Sequence, residues 1–128
     1  MIKSTTANLL FLLVILISCN NIKKPVFAFV NDTILLDTIQ VKEKKDVVVK
    51  IKNPGNDTLI IYGFECSCEC TTPLLRENTK INPNDSITVR LIVTGYENNK
   101  GKKSSTLCTF KSNTDSVFSR LTIKYFTK

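Results

Sequence analysis

The sequence predicts an all-β domain, an antiparallel sandwich of about seven strands. Three observations predict it. Short runs alternate between apolar and polar residues with a period of two, clusters of turn-forming residues separate those runs, and no segment beyond the N-terminal leader sustains a helical period. Thr, Val, Ile and Asn are abundant while helix-favouring Ala is nearly missing, so composition points the same way.

The elements follow in chain order. Residues 26–30 and 34–41 supply N-terminal strands around an Asn31-Asp32 turn. In residues 46–52, Val47, Val49 and Ile51 share one face while Lys50 and Lys52 share the other, the mark of a half-buried strand. Asn53-Pro54-Gly55-Asn56-Asp57 is a turn. Residues 59–64 are apolar on both faces, which suits a central strand. Pro73 and the Asn82-Pro83-Asn84-Asp85 stretch mark two more turns. In residues 86–94, Ile87, Val89, Leu91 and Val93 oppose Thr88 and Arg90. Gly95 through Gly101 form a connection, and the polar, basic residues 97–104 read as a hairpin tip. Residues 106–111 place Cys108 and Phe110 on one face, and Ser112-Asn113-Thr114-Asp115 turns the chain. In residues 116–126, Val117, Leu121, Ile123 and Tyr125 oppose Arg120, Thr122 and Lys124. This number of strands in roughly 100 residues is the size of an immunoglobulin-like (Ig-like) domain.

The sandwich is preceded by a targeting segment. Residues 9–17 are apolar without a break, and Lys3 provides a positive start. As a helix this run rises roughly 13 Å, against the about 30 Å of a bilayer core. It is too short to span and suits a cleaved secretory signal. The exit, Leu16-Ile17-Ser18-Cys19, resembles the lipobox of bacterial lipoproteins. That resemblance implies a signal peptide over residues 1–18, acylation of Cys19, a lipidated polar tether over residues 19–25 and a domain over residues 26–128. It also implies a membrane partner, through the lipid on Cys19. The residues after Cys19 carry no acidic cluster. That leaves two addresses, the outer membrane facing the periplasm, which is the one expected, and surface exposure as the alternative.

Composition excludes several functions. The chain has no His, so no Ser-His or Cys-His catalytic pair can exist. Neither an enzyme activity nor a cofactor is expected. Lys and Arg total 18 against 11 Asp and Glu, a net charge of +7. The basic residues are scattered apart from Lys100, Lys102 and Lys103, and an exported protein does not meet nucleic acid, so none is expected as a partner. Glu65 and Glu69 read as a solvated edge rather than a catalytic carboxylate pair. Tyr62, Phe64 and Phe126 are candidates for a recognition surface, although aromatics on strands more often fill cores or pair across strands.

Two stretches carry a resemblance. Val48 through Ile61, containing Asn53-Pro54-Gly55 and Leu59-Ile60-Ile61, and then Ser67-Cys68-Glu69-Cys70-Thr71-Thr72-Pro73, resemble the bacterial family called domain of unknown function 1573. Its hallmark is Ser-Cys-Gly-Cys-Thr-x-Pro. Ile81-Asn82-Pro83-Asn84 resembles the Ile-x-Pro-Gly turn that follows in that family, and the resemblance runs roughly from Leu35 to Tyr125. It implies an Ig-like, hydin-type sandwich of the kind common in lipoproteins and secreted proteins of Bacteroidetes. It implies no mechanism. Glu69 stands where the family has Gly, which would be strained if that position needs a positive φ.

With Cys19 acylated, Cys66, Cys68, Cys70 and Cys108 remain. An even count in an exported domain suggests disulfides. On an extended strand Cys66, Cys68 and Cys70 would share a face with Cα atoms nearly 7 Å apart, at the limit for bridging. Bonding within the cluster therefore needs a bend. Cys66 and Cys108 lie outside the family hallmark, so the resemblance pairs them by elimination. Cys68 and Cys70 are then a tight bridge in a turn or free thiols. The expected function is a membrane-anchored, non-catalytic binding or assembly module with an envelope protein as partner. The alternative is a soft-metal-binding or redox protein that uses Cys66, Cys68 and Cys70.

Overall fold

The computed structural model describes residues 21–128. Cys19 and the leader of residues 1–18 lie outside the described residues. Two sheets pack face to face. One has the order β1-β3-β7-β5, with β1 at Ala28–Phe29, β3 at Lys44–Lys52, β7 at Ser86–Thr94 and β5 at Thr71–Leu74. The other has the order β2-β9-β8-β4-β6, with β2 at Thr33–Ile39, β9 at Phe118–Thr127, β8 at Lys103–Ser112, β4 at Leu59–Cys66 and β6 at Thr79–Ile81. In Ig lettering the first sheet runs A-B-E-D, and β4, β8 and β9 form C-F-G. The fold is the expected all-β, Ig-like sandwich.

Alternation in the sequence becomes burial in the structure. Val47, Val49 and Ile51 of β3, and Val89, Leu91 and Val93 of β7, face inward and are buried. They meet the buried Phe110 of β8 and Leu121, Ile123 and Tyr125 of β9. Phe27 and Phe29 close one part of this core, with ring centroids 6.0 and 5.6 Å from Phe110.

Three expectations are corrected. Pro73 marks no turn: it lies in β5, buried and paired with Leu91, on an edge strand where its missing N–H breaks no ladder bond. The 97–104 stretch is no hairpin tip, because it carries the chain from β7 in one sheet to β8 in the other. Val117 precedes β9 and is exposed. Ahead of β1, the segment from Ile22 onward touches the domain: Asn56 Nδ2 donates to the Ile22 carbonyl (3.3 Å), and Lys24 N–H donates to Asn56 Oδ1 (2.7 Å). The pairing of β2 with β9 is parallel, because the chain starts in one sheet as β1 and then changes sheets.

Gly95 closes the end of the sandwich at the β2–β3 turn. Its N–H donates to the Glu43 carbonyl (2.9 Å), and its own carbonyl accepts from Lys42 N–H (2.8 Å). A Cβ here would run into the Gln40 backbone carbonyl. Gly95→Ala is therefore expected to lower stability by about 2 kcal/mol through overpacking. Urea unfolding measures this, and an unchanged midpoint would contradict the packing argument.

Candidate functional site

The cysteine cluster sits where β4 ends. Ser67 N–H still donates to the Leu107 carbonyl (2.8 Å), but Leu107 N–H finds the Ser67 hydroxyl (3.0 Å) instead of a backbone carbonyl. The ladder with β8 therefore stops at Ser67. Residues 67–70 bend and turn, and β5 departs into the other sheet.

All four described cysteines are bridged. Cys66 and Cys108 face each other across β4 and β8, with Cα atoms 4.0 Å apart. Cys68 and Cys70 are joined across the turn, with Cα atoms 5.1 Å apart. Of the two states left open for this pair, the structure has the bridge. The three-thiolate metal site at Cys66, Cys68 and Cys70 is corrected: sulfurs committed to disulfides are not thiolate ligands. Glu69 is not among the positive-φ residues, so Glu replaces the family's Gly there without strain. Asn84 stands at the Gly position of the Ile-x-Pro-Gly turn with φ +61°, a conformation Asn tolerates.

The two sulfurs of the Cys68–Cys70 bridge differ in surroundings. Cys68 is partly exposed, whereas Cys70 is 1% exposed. Three buried hydroxyls converge on Cys70 Sγ: Tyr125 Oη at 3.3 Å, Thr106 Oγ1 at 3.5 Å and Thr71 Oγ1 at 3.9 Å. They come from β9, β8 and β5, so both sheets contribute. Cys70 N–H donates to Cys68 Sγ (3.1 Å), and the Cys70 carbonyl accepts from Thr94 N–H (2.7 Å), which pins the turn to the end of β7.

A second feature is the outer face of the five-stranded sheet. Register places Lys103 beside Phe126, Ser105 beside Lys124, Leu107 beside Thr122, Thr109 beside Arg120 and Lys111 beside Phe118. Leu35 of β2 joins them opposite Lys124. A register shift in β4 between Ile61 and Gly63 turns Phe64 inward against Phe110 and leaves Tyr62 exposed. Of the three aromatics singled out from the sequence, Tyr62 and Phe126 are on the surface and Phe64 packs on the core. Leu35, Leu107 and Phe118 were missed, although each is a large apolar residue at a polar-face position of an alternating strand. Leu35 is 76% and Phe118 57% exposed. Among the described residues, Lys103, Lys111, Arg120 and Lys124 make no ion pair. Glu65 lies exposed beside Thr109, and Glu69 is exposed in the turn. Tyr62 and Phe118, with Gly63, Phe64 and Lys111, line a groove of about 370 Å³.

Solved structures share this architecture. A protein of unknown function from Porphyromonas gingivalis W83 superposes with a TM-score of 0.68 at 14% identity, over 85% of this chain and 50% of that one. This chain thus spans about half of that relative. A PapD-like domain of human CEP192 gives a TM-score of 0.66 at 6% identity, covering 82% of this chain and 87% of that one. The Escherichia coli chaperone DraB gives 0.59 at 11% identity, covering 80% and 55%. At these identities the likeness concerns the fold. None of the curated proteins matches the chain. The family model supplies what fold likeness alone does not: the DUF1573 model, described as a protein of unknown function, matches residues 27–126, and the chain belongs to that family.

Proposed function

We propose that this chain is an envelope lipoprotein, acylated on Cys19, whose sandwich is a non-catalytic binding module. It engages an envelope protein through the outer face of the five-stranded sheet. The observation that carries this reading is the composition of that face. Exposed Leu35, Leu107, Phe118 and Phe126 interleave with Lys103, Lys111, Arg120 and Lys124, cations without an ion pair among the described residues. Aromatic anchors ringed by charge favour a partner with an apolar centre and an acidic rim. The description of DraB as a chaperone supports a binding role for this fold. So does the pre-assembly complex of CsuC with the adhesion subunit CsuE from Acinetobacter baumannii, whose TM-score to this chain is 0.57.

The anchor would hold this face close to the bilayer. From Cys19 to the docked Ile22 the chain spans at most about 10 Å. Lys24 is paired with Asp115 at 2.9 Å, three residues before Phe118. The Phe118 end of the sandwich is therefore membrane-proximal, and so is the partner.

A photo-crosslinking residue at position 118, in intact cells, is expected to trap a discrete protein. The same residue at position 48, exposed on the other sheet, is expected to trap none. Phe118→Asp should lower capture by a crosslinker at position 107 about tenfold or more, the size of a lost hot spot. Equal capture from positions 118 and 48 would refute the face. Retention of Cys19→Ala chains in the membrane fraction would refute the anchor.

A further inference from the structure

We propose that Cys68–Cys70 is an exchangeable disulfide that opens to an external dithiol, with Cys68 the sulfur attacked and Cys70 the sulfur that leaves. A bridged sulfur carries no hydrogen, so Tyr125, Thr106 and Thr71 all donate to Cys70 Sγ. These hydroxyls are buried, and Cys70 Sγ is the partner that the structure gives each of them. A disulfide sulfur is a weak acceptor, whereas a thiolate accepts charge-assisted bonds. The donors therefore match the state after S–S cleavage better than the state before it. Donors aimed at where charge develops lower the barrier to reaching it, and a stabilised leaving thiolate departs faster.

Exposure selects the same direction. Cys68 is partly exposed and Cys70 is buried, so a thiolate from solvent reaches Cys68 first. Attack forms a bond between the reagent sulfur and Cys68 Sγ. The Cys68–Cys70 bond breaks, and its electron pair goes to Cys70 Sγ. The second thiolate of the dithiol then attacks the reagent sulfur bound to Cys68 and expels the Cys68 thiolate, whose sulfur already receives Cys70 N–H. The reagent, having attacked as two thiolates whose protons went to solvent, leaves as a disulfide. It has given two electrons to Cys68 and Cys70, which are left as thiolates and take up their protons from solvent.

Chain stability does not explain this bridge well. Its cysteines are two apart in sequence, against a separation of 42 for Cys66 and Cys108. A loop that short removes little entropy from the unfolded chain. The Cys66–Cys108 bridge closes the long loop, its Cys108 is buried, and no hydroxyl converges on its sulfurs among the described residues.

The test uses the purified full chain, with alkylation and peptide mapping of each cysteine over time. Under dithiothreitol, Cys68–Cys70 is expected to open at least about tenfold faster than Cys66–Cys108. Glutathione, a monothiol, is expected to form its adduct on Cys68. Tyr125→Phe is expected to slow the opening about tenfold, the weight of one hydrogen bond to a charged group. Thr106→Val should slow it as well, while Thr106→Ser, which keeps the hydroxyl, restores the rate. A purely structural role predicts the opposite sign, because a loosened domain opens both bridges faster. An adduct on Cys70, equal rates for the two bridges, or unchanged or faster opening in both Tyr125→Phe and Thr106→Val would overturn the proposal.

Discussion

Replacing Asn53 with Leu is expected to lower the unfolding free energy by about 4 kcal/mol. The side chain is completely buried. Its Oδ1 accepts from Val26 N–H and Gly55 N–H, both at 3.1 Å. Its Nδ2 donates to the Asp57 carbonyl at 2.7 Å and the Ile81 carbonyl at 3.0 Å. Every hydrogen-bonding site of the amide is used, and each partner is a backbone group. The side chain therefore ties the N-terminal segment, the residue 53–57 turn and β6 into one point. Leu would match the volume but take the side-chain partner away from two N–H and two C=O groups, at roughly 1 kcal/mol each. The melting temperature should fall by about 15 °C. Asn53→Asp separates shape from chemistry. It can keep both acceptor bonds while turning an anionic oxygen toward two carbonyls, so it should be nearly as destabilising. Chemical denaturation of both variants is the measurement, and near-native stability in either would remove Asn53 from its central place.

Removing the Cys66–Cys108 bridge should cost about as much. The two cysteines are 42 residues apart, and the chain-entropy model gives about 4 kcal/mol for a loop of that size. The site adds to this, since Cys108 is fully buried and Cys66 packs against the core. The bridge ties β4 to β8 one residue before the ladder ends at Ser67, where the strands would otherwise fray. A Cys66→Ala, Cys108→Ala chain is expected to melt roughly 15 °C below the parent. A shift under about 3 °C would mean that the β4–β8 pairing holds without it.

The alternating strands were legible because burial on one face imposes a period of two, and that period is written along each run. β3, β7 and the middle of β9 needed nothing more. β5 and β6 were not legible. They are short, and Pro73 carries a turn signal that only its edge position neutralises. Asn53 looked like an ordinary turn residue, since the sequence does not reveal that Val26 and Ile81 meet it. Cys68 and Cys70 were visible as a pair, but the hydroxyls around Cys70 come from positions one, 36 and 55 residues away.

By itself the sequence determined the sandwich class, the apolar faces and the absence of histidine chemistry, because composition and periodicity are local properties of the chain. Tertiary structure decided which hydroxyls surround one sulfur and which lysines share a face with Phe118 and Phe126. Those arrangements depend on strand register and on the crossing between sheets. A shift of one residue in register would send the same side chains to the opposite face.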